Sequence, residues 1–215
     1  KARLLQDDST QGIINAEAVF NEQVKSGSKL YMAAGNYGLA LAALMQKNPE
    51  KARQHLQEVR KVVGEKAATQ SLALNSLAIE TKLAAGQATE AVRDAREAVS
   101  RFPSSRALAY QYANAMFVAR QYNDVVRYLR KQVQMYKEDA TLRRQLAKEY
   151  EAQGKKALMH IAMAESYSLD GAYSAALEQL ELARKCKDVT FYDQSVIDAY
   201  EREWKAIVKE EMKKR

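Results

Sequence analysis

Pairs of small or apolar residues four positions apart recur along the chain: Ala52 with Leu56, Ala91 with Ala95, Val125 with Leu129, Ala176 with Leu180. Ala91 and Val125 stand 34 residues apart, and twelve residues before each leading member lies a further apolar residue: Ala40, Ile79, Ala113 and Ala164. A spacing of four places two side chains on one helical face. Twelve residues between packing positions leaves room for a helix end, a turn and the start of the next helix. Small side chains where helices cross let their axes approach to about 8–10 Å. A packing pattern that repeats every few tens of residues is the mark of a stacked array, in which each helix hairpin buries its apolar face against its neighbours.

The turn residues keep the same phase. Asn48-Pro49-Glu50 supplies an N-cap, a first-turn proline and an acidic first turn. Gly86 falls between two helices, Pro103 ends a unit after Phe102, and Ser104 and Ser105 open the next helix. Gly27, Gly64 and Gly154 sit where a helix end calls for a positive φ. With only 8 Gly and 2 Pro in 215 residues, and Ala, Leu, Glu, Lys, Gln and Arg prominent, the chain has little material for hairpin turns and much for helices. Helices are therefore expected over about 13–26, 29–46, 49–63, 66–84, 88–101, 105–119, 122–136, 139–152, 155–169, 172–184 and 189–212.

A period of 34 residues is that of the tetratricopeptide repeat (TPR). The expected fold is all-α: a TPR-like right-handed superhelical solenoid of antiparallel helix pairs with a C-terminal capping helix. It is read as a single domain over 1–215, with units at about 29–64, 66–103, 105–137, 139–169 and 155–187. The last two overlap by one helix. Leu146, Ala147, Tyr150 and Gly154 open one unit, and Ala164, Tyr167 and Gly171 open another only 17 residues later. Helix 155–169 is thus expected to close one hairpin and open the next. At the end, Tyr192, Val196, Ile197, Tyr200, Trp204, Ile207 and Val208 form one apolar stripe, the pattern of a helix that caps the array.

Charge and chemistry-bearing residues narrow the function. The net charge is +7, but 27 acidic residues are interspersed with the basic ones, which describes a mixed-charge surface better than a nucleic-acid arm. No stretch approaches the roughly 20 apolar residues of a membrane span. The chain opens at Lys1 without a signal-type segment, so any export signal is expected to have been removed. A single cysteine, Cys186, excludes an intramolecular disulfide and a multi-cysteine metal site. His55 and His160 stand far apart in sequence and outside any H-E-x-x-H pair, and the string Ala-Ala-Gly-Asn-Tyr-Gly at 33–38 reads as helix with small packing residues, not as a phosphate loop. No catalytic residue, metal ligand or cofactor is assigned.

In a stacked array of helix pairs, the first helix of each pair lines the inner face. The positions facing inward are Tyr37, Leu41 and Leu44, then Ser76, Glu80 and Leu83, then Tyr110, Asn114 and Phe117, then Arg144 and Lys148. That face is expected to be apolar and aromatic at its start and basic further along, suited to a peptide with hydrophobic anchors and an acidic group. Of the Lys/Asn clamp by which some such repeats hold a C-terminal carboxylate, only Asn114 falls in place; Tyr110 stands where a lysine would. The partners expected are other proteins or peptides, with no nucleic acid. An RNA-binding α-solenoid is the competing class, since such repeats read bases through paired polar side chains.

Four stretches carry a more particular likeness: Ala18–Gly27, then Ala34–Ala43, then Ala52–Leu56, and at the end Ala164–Leu180 with the shortened spacing before it. Together they resemble the region after the protease domain in bacterial periplasmic zinc metalloproteases of the BepA (YfgC) type, over about residues 13–200. The resemblance implies a periplasmic location and a non-catalytic, partner-recruiting role in quality control of outer-membrane protein assembly. It implies the assembly machinery, unfolded β-barrel substrates and the parent's protease domain as partners. The zinc-binding H-E-x-x-H helix is absent from this sequence, so the zinc chemistry transfers to no residue here. A free-standing TPR adaptor or scaffold is the alternative.

Overall fold

A computed structural model describes residues 4 and 6–214, which form twelve α-helices and, among the described residues, no strand. They are α1 (Thr10–Lys25), α2 (Lys29–Met45), α3 (Pro49–Val63), α4 (Glu65–Thr69), α5 (Leu72–Ala84), α6 (Ala88–Arg101), α7 (Arg106–Val118), α8 (Tyr122–Met135), α9 (Ala140–Ala152), α10 (Lys156–Leu169), α11 (Tyr173–Arg184) and α12 (Phe191–Lys214). Their ends fall within 3 residues of the sequence expectation everywhere but one. The helix expected over 66–84 is broken in two at Gln70-Ser71. Ser71 Oγ accepts from Leu74 N and restarts the helix, while the carbonyl of Thr69 accepts from Asn75 Nδ2 at 2.9 Å and Arg101 Nη1 at 3.2 Å. The break leaves a carbonyl without a helical partner, and two side chains satisfy it.

Local chemistry accounts for the starts. Asn48 Oδ1 accepts from Lys51 N at 3.0 Å with Pro49 as the first helical residue, Ser105 Oγ accepts from Leu108 N at 3.3 Å, and Asp139 Oδ1 from Leu142 N at 3.1 Å. The turns share one form. Two residues past the ends of α2, α5, α7, α9 and α10 the backbone takes a positive φ, at Lys47 (58°), Gly86 (74°), Arg120 (58°), Gly154 (71°) and Gly171 (75°). Three of the five are glycines, which adopt this conformation without a Cβ penalty; Lys47 and Arg120 adopt it despite one.

The chain divides into two compact units, Lys1–Ala119 and Arg120–Arg215. In the first, α1 packs on α2, α2 on α3, α3 on α5, α5 on α6 and α6 on α7. The small positions deduced from the period are closed off from solvent: Ala40, Ala52, Ile79, Ala91 and Ala95 are all 0% exposed. Phe20, Leu39 and Ala42 form a core where α1 meets α2, and Ala40, Leu56, Val59, Leu74 and Leu77 form the next. Glycine makes the α1–α2 approach possible. A Cβ on Gly35 would lie 2.6 Å from the carbonyl oxygen of Phe20, and one on Gly38 2.7 Å from the Phe20 ring.

In the second unit α9 packs on α8 and on α10, α10 on α11, and α12 on α11 and α10. Helix α10 therefore has a full partner on each side, which is the packing consequence of the 17-residue step between Gly154 and Gly171. The C-terminal helix seats Ile197 (0% exposed) and Trp204 (4%) against Ile161, Ala164, Leu180 and Ala183. The Tyr200 ring stacks on Trp204 at 4.7 Å, and its hydroxyl donates to Glu165 Oε1 at 2.7 Å. Burial, with Glu165 beside it, pushes the Tyr200 phenol well above its ordinary value. Tyr192 leaves the expected stripe: it is 75% exposed in the first turn of α12.

Polar ties follow the same period. Lys51 Nζ reaches Glu17 Oε1 across 34 residues at 3.0 Å, Gln111 Nε2 reaches Ser76 Oγ across 35 at 2.8 Å, and Asp188 Oδ1 accepts from Ala157 N across 31 at 3.2 Å. In a stacked array, residues about one period apart are neighbours, so long polar side chains pair there as apolar ones do.

Candidate functional site

The first helices of the hairpins in the N-terminal unit, α2, α5 and α7, lie side by side, α2 against α5 and α5 against α7. On them stand nine of the eleven inward-facing positions read from the sequence. Tyr37, Leu41 and Leu44 are half-buried against the Ala40–Leu56–Leu77 core and show only part of each side chain. On α5, Ser76 and Leu83 are half-buried and Glu80 is exposed; on α7, Tyr110 and Phe117 are half-buried and Asn114 is exposed. The apolar flanks on all three helices are thus joined by exposed polar tips on α5 and α7.

A residue missing from the sequence reading ties α7 to α5. Gln111 Nε2 donates to Glu80 Oε1 at 2.6 Å and to Ser76 Oγ at 2.8 Å. It follows Tyr110 directly, and its separations of 31 and 35 residues from its partners are the available signal. Tyr37 lies near enough to Glu80 to feel it: burial first, and the Glu80 carboxylate second, raise its phenol above the ordinary value. The phenol therefore stays protonated and available as a donor through the physiological range.

Arg144 and Lys148 stand exposed on α9, in the C-terminal unit. The expected basic stretch is altered by pairing, because Arg144 Nη1 donates to Asp170 Oδ2 at 2.8 Å and to Ser166 Oγ at 2.9 Å. Its charge is matched within the unit. Next to it, Arg143 Nε lies 3.3 Å from Glu165 Oε2, the carboxylate that also accepts from Tyr200.

The residues with catalytic potential are occupied structurally. His55 Nδ1 shares a 2.9 Å hydrogen bond with Oδ1 of buried Asn36, whose amide donates to Met32 O at 3.0 Å. Burial, and Lys51 nearby, hold the His55 imidazole below its ordinary value, against the pull of Glu17 and Glu58. His160 Nδ1 pairs with Gln179 Oε1 at 2.8 Å. The Cys186 thiol donates to Leu182 O at 3.3 Å, and burial with Asp188 beside it raises its pKa, the reverse of what a reactive thiolate requires. Among the described residues no three His, Cys, Asp or Glu side chains gather as a metal site would need, and no helix is long and apolar enough to cross a membrane.

No family model matches the chain, and no curated protein matches it. Among solved structures it is similar to MamA, from residue 41 to its end, of Desulfovibrio magneticus RS-1, a TPR-like all-helical protein. The TM-score is 0.55 and the identity 14%, over 86% of this chain and 97% of that one. The chain has an all-α, TPR-like fold.

Proposed function

We propose that the chain is a non-catalytic protein–protein interaction module that holds a polypeptide segment on the α2–α5–α7 face. The observation that carries this reading is the layout of that face: Tyr37, Leu41 and Leu44 offer apolar and aromatic edges beside the exposed Glu80 and Asn114, on three helices fixed relative to one another. Apolar edges supply affinity to a bound chain, while Glu80, Asn114 and the Tyr37 hydroxyl supply partners for its amides. The matched charge of Arg144 shifts the expected ligand from an acidic peptide toward an amphipathic one on this face. A photo-crosslinking residue in place of Tyr110 tests it. Adducts that form there, disappear with Leu41→Asp, and do not form from exposed Glu97 on α6 support the face; adducts indifferent to Leu41→Asp refute it.

At the finer level, the resemblance supports a role recruiting partners or substrates for a periplasmic quality-control metalloprotease acting in outer-membrane protein assembly. The reading frame upstream of Lys1 tests that: it should encode an export signal and an H-E-x-x-H helix. A frame that encodes neither leaves the free-standing adaptor.

A further inference from the structure

A second recess lies in the N-terminal unit, away from the residues of that face. It is a cleft of about 440 Å³ between α3, the C-terminal half of α5 and the start of α6. Its floor is apolar, with Leu56 and Ala78 each 6% exposed, and its rim is charged. Three cations line it, Arg53, Arg60 and Lys82, against two carboxylates, Glu50 and Asp94. Both carboxylates are already spent. Glu50 forms an ion pair with Arg53 one helical turn away, and Asp94 holds Lys82. Arg60 is different: its Nη1 lies 3.8 Å from Oε2 of the exposed Glu65, beyond hydrogen-bond reach, and its Nε is buried with no hydrogen-bond partner. The Arg60 side chain as a whole is 37% exposed, so its terminal nitrogens are open to an incoming carboxylate, which would supply the hydrogen-bond acceptor that Glu65 does not.

We infer that this cleft is a docking site for a partner polypeptide that presents an acidic side chain to Arg60 beside an apolar side chain on the Leu56–Ala78 floor. Charge complementarity selects the occupant: with both rim carboxylates paired, the surplus in the cleft is one cation with unused donors. Length argues for a chain passing through rather than ending there. The lining runs along α3 from Pro49 to Arg60, about 16 Å at the helical rise, which about five residues of extended chain would span. The guanidinium offers its carboxylate partner a two-pronged contact that a lysine would not.

The test uses the full chain and a fluorescein-labelled, C-terminally amidated octapeptide with a Leu two residues before a Glu, so that both face the cleft in an extended chain, read by fluorescence anisotropy. The expected result is saturable binding that falls at least tenfold when the peptide Glu is replaced by Gln. It should fall equally with Arg60→Gln, and also with Gln57→Glu, which adds a carboxylate to the lining of the cleft. Thermal unfolding of each variant establishes that it is folded, and Gln57→Glu, at an exposed position, keeps the test open if Arg60→Gln is not. Glu97→Gln, at an exposed position on α6 outside the cleft lining, should leave this binding unchanged. Equal affinity for the Glu and Gln peptides, binding indifferent to both variants, a requirement for a free C-terminal carboxylate, or no binding up to millimolar peptide would each overturn the assignment.

Discussion

Glu149 offers the sharpest test of the packing in the C-terminal unit. It lies on α9, which is flanked by α8 and α10; the side chain is 3% exposed, and its Oε2 is buried with no hydrogen-bond partner. Burial raises its carboxyl from 4.5 to about 7, with Lys148 pulling the other way. The folded state therefore holds this proton more tightly than the unfolded state does. Its contribution to stability is fully present below pH 4.5, is lost as the pH rises toward 7, and is gone above that. The gap between the two values corresponds to about 3 kcal/mol. Glu149→Gln carries no charge at any pH, so relative to the natural chain it should gain about 3 kcal/mol between pH 4.5 and pH 8. Urea unfolding read by Trp204 fluorescence measures this directly, because Trp204 is the only tryptophan and is buried in the same unit. If the stability difference between variant and natural chain is the same at both pH values, Glu149 is not buried as a carboxylate and the α8–α9–α10 packing described here is wrong.

Two further substitutions test the backbone reasoning in the N-terminal unit, and far-UV circular dichroism during urea unfolding reads both. Gly35→Ala sets helix propensity, which favours Ala by about 1 kcal/mol, against a Cβ placed 2.6 Å from the Phe20 carbonyl oxygen. Backbone cannot swing aside, so a net loss of about 1–3 kcal/mol is expected, and a gain would mean α1 does not lie on Gly35. Lys47→Gly removes a Cβ from a residue held at φ 58° in an exposed turn and should stabilise by about 0.5–1 kcal/mol, while a loss would place Lys47 elsewhere in φ.

Most of the helical framework is legible in the sequence because it is written in residue size at fixed spacing. Ala40, Ala52, Ala91 and Ala176 are small where a larger side chain would hold two helices apart, and each is 0% exposed. What escaped the reading is polar and non-local. The Gln70-Ser71 break carries no glycine or proline, and the groups that make it tolerable, Asn75 and Arg101, lie 6 and 32 residues from Thr69. The inward positions could be assigned from phase, but not the state of their charges. Asp170, which takes up Arg144, is 26 residues away, and Gln111 is recognisable as a tie only once α5 and α7 are known to be adjacent. Tyr192 shows the limit of a stripe: helical spacing places a residue on a face, but in the first turn of α12 the ring only edges a recess lined by Leu146, Tyr150 and Leu158 and stays 75% exposed.

The same division explains how a fold can be shared at 14% identity with MamA over 86% of the chain. Hairpin crossings constrain volume and period, which Ala, Val or Ile satisfies with suitable neighbours: Ile79 occupies a crossing position that elsewhere holds Ala and is equally buried. Identity is free to drift wherever the size rule is met. The residues that distinguish one such array from another are then the long polar side chains between crossings, because these decide which charges are matched internally and which remain for a partner. In this chain Arg144, Lys82 and Arg53 have carboxylates of their own, whereas Arg60 lies 3.8 Å from its nearest carboxylate with a buried Nε donor unused. Recognition should accordingly be more sensitive to a single substitution at Arg60 than to the overall charge of +7. Salt that screens the general field should weaken encounter first and the seated guanidinium–carboxylate contact last.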